Sequence, residues 1–179
     1  GGKMYVPRAM YSLRISFWTV PRSLAGSTPC CLPTAIYIAS RIAAGALIVI
    51  ERETGINDFL EVGVEIDAKI SSDLITSIFL PYSPIHDGAV ILQRGRITRA
   101  GCFLPLTQNP DVNPHLGTRH RAAIGLTEMV DAVVIVVSEE TGRISVVVGG
   151  KMTRALEVTT LKKVLTRLLE PRRLRGKKS

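Results

Sequence analysis

Ala132-Val133-Val134-Ile135-Val136-Val137 is six apolar residues without a polar interruption, bounded by Asp131 and Ser138. A strand with one wet face alternates apolar and polar residues; one with no alternation needs apolar cover on both faces. This run is therefore expected to be a central strand. Downstream, Ser138-Glu139-Glu140-Thr141-Gly142 reads as a polar turn into a second strand, Ile144–Val148, closed by Gly149-Gly150. A last helix is expected from Thr159 or Thr160 through Leu169, stopped by Pro171.

Upstream, Asp131 ends a helix that begins behind Gly117, with Ile124, Leu126, Met129 and Val130 falling roughly on one face of an amphipathic pattern. Ala46-Leu47-Ile48-Val49-Ile50 is another buried strand, ending in the turn Glu51-Arg52-Glu53-Thr54-Gly55. The apolar stretch from Leu32 to Ile50 raises the question of a membrane span. Pro33 opens it and Arg41 sits near its middle, where a cation costs about 2.5–3.5 kcal/mol, so it reads as a short helix feeding a strand. Ser71 or Ser72 can cap a helix through Asp73–Leu80, halted by Pro81. Ala89–Leu92, a turn at Gly95, and Ile97–Leu104 make a hairpin. The fold class is α/β: a single domain with a central mixed β-sheet flanked by helices.

The chain has 179 residues, room for one domain, and 46% hydrophobic residues, enough for a sizeable core without disulfides. Its formal charge of +8 resembles a nucleic-acid signature until it is divided along the chain. Residues 1–29 hold Lys3, Arg8, Arg14 and Arg22 with no acid, and residues 171–179 hold Arg172, Arg173, Arg175, Lys177 and Lys178 with no acid. The 30–170 region between them is nearly neutral. Aromatic residues are only 5%, few for a surface that stacks bases. No nucleic-acid partner is expected, and the basic ends read as solvated tails, with 1–29 either transit-peptide-like or extraneous to the domain. Cys30, Cys31 and Cys102 have neither an even disulfide count nor metal-ligand spacing, which points to a reducing compartment.

Two segments carry chemistry. Gly117-Thr118-Arg119-His120-Arg121 sets two arginines and a histidine at a helix start, where Thr118 is a suitable N-cap and first-turn amides favour anions. Forked guanidinium groups suit phosphate oxygens. Pro84-Ile85-His86-Asp87-Gly88-Ala89 places a carboxylate and an imidazole at a strand mouth, able to hold a divalent cation or accept a hydroxyl proton. Taken singly, the first is an exposed basic helix start, the second a hairpin corner with a structural histidine, and His115 a loop residue. Together they are the parts for phosphoryl or nucleotidyl transfer.

The Asp87-Gly88-Ala89 triplet followed by Gly117-Thr118-Arg119-His120-Arg121 resembles the paired signature of diadenylate cyclases, which condense two ATP into cyclic di-AMP and release two pyrophosphates. The resemblance runs from about Ala46 to Gly150 and includes Leu104-Pro105-Leu106 and Val137–Gly142. It implies that Asp87 binds metal and activates the ribose 3′-hydroxyl, with His86 a second metal ligand, and that Gly88 and Ala89 line the ribose. Thr118, Arg119, His120 and Arg121, behind Gly117, would hold the triphosphate, joined by Ser138 and Glu140. Phe103 and Leu104 would bracket adenine, with a phenylalanine at 103 where relatives carry tyrosine. Mn2+ or Mg2+, with Co2+ an alternative, would be the cofactor.

Each 3′-oxygen must reach the other ATP's α-phosphate, so the resemblance also implies a face-to-face homodimer, at least during turnover. The membrane-anchored branch of the family carries transmembrane helices ahead of its catalytic domain, and a second branch carries a DNA-binding module after it. The expected reading is a cytoplasmic catalytic domain of the membrane-anchored type, lacking its transmembrane segment. Two rivals remain open at this level. One is a catalytically silent sensor of ATP or cyclic dinucleotide; the other is a nucleic-acid-binding module that uses the basic tails.

Overall fold

The computed structural model describes residues 32–41, 45–113 and 115–169. The basic tails, Cys30, Cys31 and Pro171 lie outside the described residues. The chain runs α1 (Leu32–Arg41), β1 (Ala46–Glu51), β2 (Val64–Lys69), α2 (Ser72–Ile78), β3 (Ala89–Gln93), β4 (Arg96–Cys102), α3 (Thr118–Met129), β5 (Ala132–Val137), β6 (Ile144–Val148), β7 (Lys151–Thr153) and α4 (Val158–Leu169).

The strands form one seven-stranded sheet in the order β2-β4-β3-β1-β5-β6-β7. β1 runs parallel to β3 and antiparallel to β5, so the sheet is mixed as expected. All six residues of β5 are buried, and β1 beside it is the middle strand. Alternate side chains feed two cores. Ile48, Ile50, Val133, Ile135 and Val137 meet α1, α2 and α4; Leu47, Val49, Val134 and Val136 meet α3. Burying a Val, Leu or Ile side chain contributes about 1.5–3 kcal/mol, so two-sided cover explains the unbroken apolar runs.

Several boundaries differ from the sequence reading. Ser71 caps α2 by accepting the Leu74 amide at 3.1 Å, but the helix ends at Ile78, short of the expected Leu80. β4 begins at Arg96 and stops at Cys102, leaving Phe103 in an isolated bridge with Glu61. The edge strands β2 and β7 were not expected at all. Both are largely exposed and therefore carry no strong burial pattern.

The expectation of an amphipathic α3 is corrected. Residues 122 to 127 are buried consecutively, while Met129, assigned to the apolar face, is exposed. The cause is the segment Pro105-Leu106-Thr107, which lies across the helix on the side away from the sheet. A Cβ at Gly125 would stand 2.7 Å from the Leu106 carbonyl carbon, too close for any side chain. The Thr107 amide donates to the Arg121 carbonyl at 3.2 Å, and its hydroxyl to Glu128 at 2.8 Å. This strap and the sheet together hold α3 so that its N-terminal turn faces the C-terminal end of β5.

Candidate nucleotide site at the start of α3

The N-terminal turn of α3 opens into a cleft of about 320 Å³, the lower end of the size range for small-molecule sites. Gly117, Thr118, Arg119 and His120 line one side; Ser138 and Glu140, from the turn after β5, line the other. The helix start differs from the expected one. Gly117, not Thr118, is the N-cap, and no side chain caps the helix. The His120 and Arg121 amides reach the Gly117 carbonyl at 3.0 and 3.1 Å. Extended backbone at Gly117 thus makes Thr118 the first helical residue and leaves the helix start without the side-chain oxygen that would otherwise cap it.

Arg119 joins this cleft to the second motif. Its Nη2 lies 3.7 Å from Asp87 Oδ1, and its Nη1 donates to Glu139 Oε1. The guanidinium is 19% exposed, whereas Asp87 is 78% exposed at the mouth of β3. A mostly covered cation therefore stands beside an open carboxylate. Arg119 Nε is buried without a partner, held in place by the contacts of the other two nitrogens.

Asp87 owes its position to Gly88. This residue has φ +129°, and a Cβ there would stand 2.6 Å from the Gly101 carbonyl carbon, so β3 can begin beside β4 only with glycine. The Asp-Gly pair is thus a close strand approach and not the corner of the hairpin, which is Arg94-Gly95, both with positive φ. Ala89 pairs with Cys102, bringing Phe103 and Leu104 to the same end of the sheet as Asp87. Phe103 is half exposed; Ala89 is fully buried and packs in the core on the α3 side.

His86 closes the turn before Asp87, its Nδ1 donating to the Ser83 carbonyl at 2.5 Å. In the neutral ring Nδ1 then carries the proton and Nε2 the lone pair, the usual arrangement for a ligating histidine. His120 is half-buried in the cleft. Burial pushes its pKa below the ordinary 6.5, the charge of Arg154 adds to the fall, and Glu140 opposes it.

Arg121 does not line the cleft, although it follows His120 directly. Residues that no sequence motif marks also line it: Asn113, Arg143, Ser145 and Arg154, together with His115 from the loop before α3. Arg154 follows β7, and without that strand nothing in the sequence ties it to α3. Glu139 was distinguishable from a solvated turn only through the family pattern.

The DisA bacterial checkpoint controller nucleotide-binding (DAC) family matches residues 34–152, a span holding both motifs and the cleft's N-terminal helix turn. The chain belongs to the DAC family. It is 48% identical over 129 residues to "Cyclic di-AMP synthase CdaA" of Bacillus subtilis, covering 72% of this chain and 47% of that protein. It is 47% identical over 133 residues to a "Diadenylate cyclase" of Listeria monocytogenes, covering 74% and 48% respectively. The chain thus spans about half the length of these DAC relatives. A double mutant of DacA from Staphylococcus aureus superposes with a TM-score of 0.75 at 40% identity, over 79% of this chain and 94% of that one. A hypothetical membrane spanning protein from Bacillus cereus superposes at 0.69 and 44% identity, over 71% and 62%. Among the described residues of this DAC domain, no helix is long and apolar enough to cross a membrane.

Proposed function

We propose that this domain is a diadenylate cyclase, joining two ATP molecules into cyclic di-AMP with release of two pyrophosphates. The observation that carries the reading is Arg119, which contacts Asp87 at the strand mouth while standing in the wall of a cationic cleft. The triphosphate lies along the cleft, against the α3 amides, Arg119 and His120. Asp87 then stands where the proton of a ribose 3′-hydroxyl has to go. As the 3′-oxygen bonds to the α-phosphorus of the second ATP, the bond to its pyrophosphate breaks in line, and the cations of the cleft hold the charge that leaves.

One ATP on one subunit supplies only one nucleophile and one electrophile. Two subunits therefore meet with their Asp87 faces opposed, at least during turnover. The open setting of Asp87, 78% exposed, suits a carboxylate that serves a substrate shared across such a junction.

Among the described residues, no three His, Cys, Asp or Glu side chains gather into a metal cage. Asp87 with the free Nε2 of His86 nevertheless suits a cation that takes its remaining ligands from phosphate and water, as Mg2+ and Mn2+ commonly do; Co2+ is compatible with the same donors. Such an ion would offset the repulsion between two triphosphates. The domain is proposed to work on the cytoplasmic side, with any membrane attachment supplied from outside the described residues.

The test is to incubate the protein at several concentrations with ATP and Mg2+ or Mn2+, separating products by chromatography and mass, with Asp87→Asn alongside. Cyclic di-AMP absent in the variant, with a rate per subunit that rises with protein concentration, is expected. ATP bound but unchanged with every metal would replace the cyclase by a sensor.

A further inference from the structure

Ser145 is the one polar side chain within β6, flanked by Ile144 and Val146, which point to the opposite core. It pairs with Val136 and so faces the α3 side of the sheet. Although only 3% exposed, it lines the cleft. Among the described residues its hydroxyl makes no hydrogen bond, whereas the buried Thr107 and Thr127 hydroxyls both do. Among the described residues the side-chain oxygen sealed from solvent without a partner is Thr76 Oγ1; the Ser145 hydroxyl is not sealed, and at the floor of the polar cleft it is open to donate to a ligand oxygen.

The same cleft is rimmed by Arg154, which reaches it only because β7 pairs with β6. Its guanidinium is close enough to depress the titration of His120, on the opposite wall. Ala155 next to it has φ +55°, an uncommon conformation for a residue other than glycine, at the bend where the chain leaves β7 for α4. The carboxylates that face this space are Glu139 and Glu140, and Glu139 is already matched by Arg119. The β6 and β7 side of the cleft therefore presents a floor hydroxyl and a rim guanidinium that, among the described residues, forms no ion pair.

We propose that Ser145 and Arg154 form a subsite for the terminal phosphates of the nucleotide, so that the pyrophosphate portion is held from the sheet as well as from α3. The proposal rests on the cyclase reading for the identity of the substrate, and adds that the domain discriminates a nucleoside triphosphate from a diphosphate through these two residues. The Ser145 hydroxyl donates to a phosphate oxygen, and Arg154 forks onto the outermost phosphate. Neither residue touches the reacting bond; both act on binding and on the departure of pyrophosphate.

The experiment is calorimetric titration of the intact chain with α,β-methylene-ATP, which cannot be cleaved at the reacting bond, and separately with ADP and inorganic pyrophosphate. The unsubstituted protein, Ser145→Ala, Arg154→Ala and Arg154→Lys are compared, with thermal unfolding to confirm that each variant is folded. Loss of a charge-assisted contact is worth about tenfold or more, so Arg154→Ala is expected to weaken the triphosphate about tenfold while leaving ADP within about twofold. Ser145→Ala is expected to weaken triphosphate and pyrophosphate by about threefold to tenfold, and Arg154→Lys to recover part of the loss. Equal affinities in all four proteins, or losses equal for ADP and the triphosphate, would overturn the subsite. If those results came from a protein that still makes cyclic di-AMP, the cyclase reading would stand without it; if the unsubstituted protein bound none of the three ligands, both would fall.

Discussion

Arg119 Nη2 stands 3.7 Å from Asp87 Oδ1, linking the first helical turn of α3 to the entrance of β3. The same guanidinium reaches Glu139 on the far side of the cleft. One planar cation thus sets the spacing of two carboxylates from two other elements. A lysine has the charge but a single nitrogen and no fork. Arg119→Lys is expected to lower cyclic di-AMP formation by about 10²-fold, the scale of losing one oriented electrostatic contact, with the unfolding midpoint little changed. Equal turnover by the two proteins would mean that the positive charge suffices and that the forked contact to both carboxylates is not needed.

Gly88 tests the placement of Asp87 without touching its carboxyl. Gly88→Ala introduces a side chain at φ +129° and against the Gly101 backbone. The strain should cost about 1–3 kcal/mol in urea unfolding, and activity should fall far more than the folded fraction does. A fully active Gly88→Ala would show that β3 need not begin so close to β4.

His120 gives the protein a dependence on pH. Its folded pKa lies below the 6.5 of the unfolded chain, chiefly through burial. Below 6.5 the unfolded state takes up the proton first, so unfolding binds protons and stability rises with pH across that window. The contribution is fully present above 6.5 and is lost as pH falls through the depressed folded value. Thermal unfolding midpoints of the wild type between pH 5 and 8 should therefore fall more steeply on the acid side than those of His120→Gln. Parallel curves would place the proton uptake elsewhere.

Arg52, at the end of β1, donates to Asp131 and, at 3.1 Å, to the Leu168 carbonyl in the last turn of α4. It ties the centre of the sheet to the last helix and supplies a cation where the helix dipole is negative. Both partners are partly exposed, so screening limits the gain. Arg52→Ala should lose about 1–2 kcal/mol by urea unfolding, less in 1 M salt. A loss independent of salt would assign its role to packing.

The parts of the fold that were legible are those whose burial is recorded locally. β1 and β5 are apolar on both faces because both faces are covered, and α2 begins at the expected serine because Ser71 accepts a nearby amide. β2 and β7 left no such mark, since edge strands keep a wet side and gain their definition from β4 and β6. α3 departs from the expected amphipathic pattern for a related reason: its second cover is the 105–107 strap, which a helical period cannot reveal. Residue type alone favours Thr118 as the cap, but the extended backbone of Gly117 makes Gly117 the cap.

By itself the sequence determined the composition of the site: a carboxylate before a glycine, an Arg-His-Arg helix start and a polar turn after a buried strand. Those are covalent neighbours, and their chemistry is local. Only the tertiary structure decided that Arg119 binds Asp87 and Glu139 together, that Arg121 stays out of the cleft, and that Ser145 and Arg154 enter it. The physical reason is that these relations depend on strand register and on the strap over α3, which arise from pairing between distant segments and have no counterpart in the order of residues along the chain.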